Sequence, residues 1–154
     1  MKRIEVKKGQ ILQVKGSLNS KVYEIESGLL RSYSIDEKGK EHIFMFASEG
    51  WLMADNVPFG EPSDLFIDAL EDSVVFEKSK DMKMEFQPEK LIKRMGVLQK
   101  RVIMLMSATA IERYEHFIAT YPNIVQRVPQ KMIASYLGIT PEALSNVKRI
   151  ALNK

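Results

Sequence analysis

Residues 130–149 read QKMIASYLGITPEALSNVKR, and this stretch decides the organisation of the chain. It reads as two short helices around a tight turn. Ile133, Ala134 and Leu137 fall on one face of the first helix. Gly138 supplies the backbone freedom of the turn, and Ile139 fills the corner. Thr140 suits the N-cap of the second helix, and Pro141 suits its first helical position, where a missing N–H costs nothing. Leu144 and Val147, three apart, turn one face of that helix inward. Two readings fit this pattern. One is an ordinary helical hairpin. The other is a helix-turn-helix whose second helix enters the DNA major groove. The outward face favours the second, because Thr140, Glu142, Ser145, Asn146, Lys148 and Arg149 are all polar and only Glu142 is acidic.

Charge is placed to match. Residues 1–122 carry 18 Lys/Arg against 19 Asp/Glu, whereas residues 123–154 carry 5 against 1. The positive excess therefore sits at the end that would meet phosphate. The chain has 154 residues, is 45% hydrophobic and contains no cysteine. Disulfides, thiolate metal sites and cysteine nucleophiles are excluded. The start, MKRIEVKKGQ, has no apolar core of signal-peptide length. No run approaches membrane-spanning length. A cytoplasmic protein that does not enter membranes is expected.

Upstream, residues 1–80 consist of short apolar runs separated by polar turns, among them Lys8-Gly9-Gln10, Ser27-Gly28 and Asp36–Lys40. That spacing predicts a β-sandwich or small barrel rather than a parallel α/β sheet. The pattern changes after Pro88. Leu91, Met95, Leu98, Val102, Leu105 and Thr109 follow a 4-3-4-3-4 spacing, a heptad seam. Ile92, Ile103 and Met106 form a second apolar row beside it. The seam fits a twin helix in a homodimer, or packing on the chain's own domain. Ala110–Tyr121 is a further amphipathic helix ended by Pro122.

This order resembles the CRP/FNR family of bacterial transcription regulators. The resemblance rests on YEIESGLLRSYSIDEKGKEHI at 23–43, on the helix from Glu89 to Thr109, and on RVPQKMIASYLGITPEALSNVKR at 127–149. It implies an α+β protein in three parts: a double-stranded β-helix of jelly-roll type over 1–87, a dimerisation helix over 88–109, and a helix-turn-helix domain over 110–154. The family's β-hairpin wing is expected to be missing, as is its usual N-terminal helix. The implied partners are a second copy of the chain, paired through Leu91, Met95, Leu98, Val102 and Leu105, and a near-palindromic operator in double-stranded DNA. An unidentified small-molecule effector is compatible with this reading.

Nucleotide-binding members of the family carry a Gly-Glu-Leu cassette followed by Arg-Ser/Thr-Ala. The matching positions here are Ala54-Asp55-Asn56 and Ser63-Asp64-Leu65, and no Lys or Arg lies between Glu41 and Phe76. A buried anion there would lack a cationic partner. No cyclic nucleotide or other cofactor is expected, and Asp55 is read as capping a turn. The only histidines, His42 and His116, form no metal-ligand pair, so neither a metal centre nor a catalytic site is expected. In the recognition helix, Glu142 suits a cytosine amino group and Asn146 an adenine. Gln130, Lys131, Lys148 and Arg149 suit phosphates. The competing reading is an effector-sensing or protein-interaction β-roll with a degenerate helix-turn-helix.

Overall fold

A computed structural model describes residues 1–80 and 88–152, the side chains at 88, 90, 91, 93, 94 and 152 excepted. The chain forms two compact units, Met1–Met84 and Glu85–Lys154. The expected boundary between residues 87 and 88 adjoins a stretch outside the described residues.

Among the described residues the first unit is all β: β1 (Lys2–Val6), β2 (Ile11–Gln13), β3 (Lys21–Ser27), β4 (Leu30–Ile35), β5 (Glu41–Ala47), β6 (Leu52–Ala54), β7 (Phe66–Ala69) and β8 (Ser73–Ser79). They make two four-stranded antiparallel sheets, ordered β1-β8-β3-β6 and β2-β7-β4-β5. Alternation explains the first sheet. In β3, Tyr23 and Ile25 are buried while Glu24 and Glu26 face out, as expected of a half-solvated antiparallel strand. Val6, Tyr23, Ile25, Met53 and Val75 of that sheet join Leu30, Ala47, Ile67 and Ala69 of the other in one core. Each large side chain in it contributes roughly 1.5–3 kcal/mol by leaving water. Gly28 is required by sterics. Its φ is +96°, and a Cβ there would stand 2.2 Å from the Ser73 hydroxyl.

The second sheet departs from simple alternation. Leu30, Arg31, Ser32 and Tyr33 of β4 are all buried. Arg31 grips the Asp68 carboxylate with Nε at 2.8 Å and Nη2 at 2.9 Å, and also pairs with Glu41. Its guanidinium lies 4.1 Å from the centre of the Tyr33 ring, which stacks on Phe66. Burial works against this cation, but Asp68 and Glu41 hold its pKa above the ordinary value. Phe46 is fully buried, as an apolar interior demands, whereas Phe44, Trp51 and Phe66 are half-buried.

Among the described residues the second unit is all α: α1 (Pro88–Ser107), α2 (Ala110–Thr120), α3 (Gln130–Leu137) and α4 (Pro141–Leu152). Thr109 separates α1 from α2 and closes a capping box. Its amide donates to the Glu112 carboxylate at 2.7 Å, and its hydroxyl accepts from the Glu112 amide at 3.4 Å. Phe117, Tyr121 and Tyr136 form a buried triangle with ring centres 5.3, 5.3 and 5.5 Å apart. Among the described residues no helix is long and apolar enough to cross a membrane.

Candidate nucleic-acid interface

The candidate interface is built on α3, α4 and the turn between them. Gly138 takes the left-handed conformation, φ 64° and ψ 33°, and its amide caps the end of α3 at the Ser135 carbonyl, 3.2 Å away. Ile139 then donates to the Ala134 carbonyl at 3.1 Å. The Thr140 hydroxyl accepts from the Ala143 amide at 3.2 Å and starts α4. Ile133, Ala134 and Leu137 of α3 are buried with Leu144 and Val147 of α4. These contacts fix which face of α4 looks outward.

That face carries Glu142, Ser145, Asn146 and Arg149, all exposed. Their spacing of three, one and three residues puts them on a single stripe of the helix. Gln130 and Lys131 at the start of α3, and Thr140 at the start of α4, are exposed as well. Lys148 is half-buried and lies off the stripe. The Glu142 carboxyl is held below its ordinary pKa by its own backbone amide and by the Thr140 hydroxyl. That favours the ionised form, which offers only acceptors.

The long helix divides its apolar residues between two faces. Met104 is buried, and Leu98 and Leu105 are half-buried. Leu105 lies against the helix-turn-helix corner, its Cδ2 being 3.5 Å from where a Gly138 Cβ would sit. Met95 and Val102 are exposed, and so are Ile92, Ile103 and Met106. Of the expected seam, then, Met95 and Val102 are uncovered, Leu98 and Leu105 are partly covered, and the side chain of Leu91 lies outside the described residues. The most exposed row is the second one, Ile92, Ile103 and Met106.

Two arginines of this unit carry no sequence signature. Arg101 lies 4.1 Å over the Tyr136 ring and reaches the Tyr136 carbonyl at 3.4 Å. Arg113 donates to three carbonyls, those of Leu105, Ala108 and Leu137, at 2.8, 3.0 and 3.0 Å.

In the β unit, the loop matching the nucleotide cassette is closed by the chain itself. The Asp55 carboxylate accepts from the amides of Asp64 and Leu65, both at 2.8 Å, and from the Gln13 side chain at 3.3 Å. Asp55 is thus the cap that its position in the sequence suggested. Lys80 directs its ammonium to the Asp55 and Val57 carbonyls. These residues do not fit a nucleotide phosphate, because Asp55 occupies the two amides and Asp64 adds a second negative charge. Asp55→Ala is expected to lower the unfolding free energy of the β unit by about 1–3 kcal/mol, since it strands the amides it serves. A urea melt followed by circular dichroism measures this.

A profile of the cyclic nucleotide-binding domain matches residues 3–87. The fumarate and nitrate reduction regulatory protein of Vibrio cholerae is 28% identical over 165 residues, covering 92% of this chain and 65% of that protein. The protein of the same name from Escherichia coli K12 is 30% identical over 166 residues, with the same coverage. The chain thus spans about two thirds, 65%, of the length of these relatives. Among solved structures, a transcriptional regulator of the CRP/FNR family from Thermus thermophilus, TTHA1359, superposes with a TM-score of 0.80 at 15% identity, covering 99% of this chain and 87% of that one. That likeness is one of fold. With a profile match over more than half of its residues, the chain belongs to the cyclic nucleotide-binding domain family, and the eight strands and four helices of its described residues have the fold of a CRP/FNR-family regulator.

Proposed function

We propose that the chain is a dimeric transcription regulator that reads a near-palindromic operator in double-stranded DNA. One observation carries this reading: α4 presents a continuous exposed polar stripe, Glu142, Ser145, Asn146 and Arg149, on a helix fixed from behind by buried Leu144 and Val147. Glu142 accepts from a cytosine amino group, and Asn146 makes the paired contact to an adenine edge. Arg149, Gln130 and Lys131 neutralise phosphates, with Lys148 at the margin. Two copies pair along α1 through the exposed Met95 and Val102 together with Ile92, Ile103 and Met106. Pairing sets two recognition helices about one DNA turn, roughly 34 Å, apart. The site of action is the cytoplasm, where such DNA is found.

Selection of bound fragments from a random DNA library, at low and at moderate salt, tests the proposal. A two-fold-symmetric motif is expected. Recovery of no DNA by folded protein would overturn it. Two substitutions then separate reading from anchoring. Asn146→Ala is expected to relax base preference at one position per half-site, with a cost of about 1–3 kcal/mol against the preferred base. Arg149→Ala is expected to weaken binding to all sequences alike and to flatten the salt dependence by about one unit of slope. Fluorescence anisotropy with matched and mismatched duplexes reads both.

A further inference from the structure

One side chain reaches both the α1–α2 junction and the end of α3. Arg113, in the first turn of α2, sends Nη2 to the Leu105 carbonyl at 2.8 Å, Nε to the Ala108 carbonyl at 3.0 Å and Nη1 to the Leu137 carbonyl at 3.0 Å. Leu105 is in the last turn of α1, and Leu137 is the last residue of α3. Both carbonyls belong to helix ends that lack an intrahelical donor. Both ends also carry partial negative charge, which a cation stabilises. Only a planar fork with several N–H groups can serve three such acceptors at once; a lysine ammonium on a flexible stem cannot hold that geometry. Two neighbouring contacts run between the same helices. Leu105 Cδ2 borders the Gly138 corner, and Arg101, four residues before Leu105, stacks over Tyr136 of α3.

We propose that Arg113 is a positioning residue. It locks the angle between the long helix and the helix-turn-helix, and so sets the separation of half-sites that the dimer accepts. The inference rests on the DNA-binding reading given above. Arg113 itself touches no base. It acts through α3, whose end it ties to the helix along which two copies pair.

The test uses the full chain and a set of duplexes. Each carries the two half-sites recovered by selection, with the spacer altered by one or two base pairs in either direction. A single half-site duplex is measured alongside. The parent is expected to prefer one spacing by about tenfold or more, as a rigid two-fold dimer must. Arg113→Ala and Arg113→Lys are expected to compress that preference to about threefold or less while single half-site affinity and base preference stay at the parent level. Arg113→Lys keeps the charge and one hydrogen bond, and so serves if the alanine variant melts below the assay temperature. Three outcomes overturn the inference: a folded variant that keeps the full spacing preference, a proportional loss on single half-sites and spaced pairs alike, or a parent that binds DNA with no spacing preference. A parent that binds no DNA at all defeats the functional reading instead.

Discussion

Val102→Glu combined with Met106→Glu is expected to leave the protein folded, monomeric and about a hundredfold to ten-thousandfold weaker on its operator, the scale of the tethering gain that pairing supplies. Val102 is 54% exposed and Met106 81% exposed in the single chain, so neither substitution opens a cavity in the chain's own core. In a pair of α1 helices the same positions meet their copies. Four carboxylates would then face one another across an apolar seam, where like charges repel and desolvation is costly. Loss of pairing removes the gain from tethering two half-site contacts, which multiplies affinity by roughly 10²–10⁴ without any new contact. Sedimentation velocity reads the mass, and a mobility-shift titration reads the affinity. A dimer that persists in the double variant refutes pairing through this face. Leu98→Glu is the less clean experiment, because Leu98 is half-buried and a charge there also strains the helical unit itself.

Phe117→Ala is expected to cost about 3–5 kcal/mol, enough to unfold a large share of the helical unit at physiological temperature. Phe117 is 0% exposed and sits between Tyr121 and Tyr136, with ring centres 5.3 Å from each. Truncation therefore removes two aromatic contacts and leaves a void behind. Tyr136 is also the platform for Arg101. The expected signature is a fall of about 15 °C or more in melting temperature, as such an energy implies for a unit of this size. Specific DNA binding would be lost with it. Scanning calorimetry checks the first and anisotropy the second. A shift of under about 4 °C contradicts the assigned role of the triangle.

The strands were legible because their signal is local. Tyr23 and Ile25 alternate with Glu24 and Glu26, and one face of β3 is solvated. The helix-turn-helix was legible for a similar reason: Ala134, Gly138, Thr140 and Leu144 each meet a steric or hydrogen-bonding demand within a few residues. The orientation of α1 was harder. Its two apolar rows, Leu91-Met95-Leu98-Val102-Leu105 and Ile92-Ile103-Met106, are both plausible seams by periodicity. Met104 is buried, and Leu105 is turned inward beside the Gly138 corner, some thirty positions later. Arg113 left no trace in the sequence at all, since its partners are backbone carbonyls and any residue supplies one. Arg31 was equally hidden. A cation in a strand reads as solvent-facing until Asp68, 37 residues on, is folded beside it.

The loop between Asp55 and Leu65 has a consequence best put as a competition. The carboxylate that fills it is covalently attached to the amides it occupies. A tethered group of this kind acts at an effective concentration in the millimolar range or above. A free anion at micromolar concentration is outnumbered before its own affinity is counted. This loop behaves as an anion site supplied with its own ligand, and the occupancy of its two amides does not follow the anions of the surrounding solution. Asp55 makes the state of these two amides a constant.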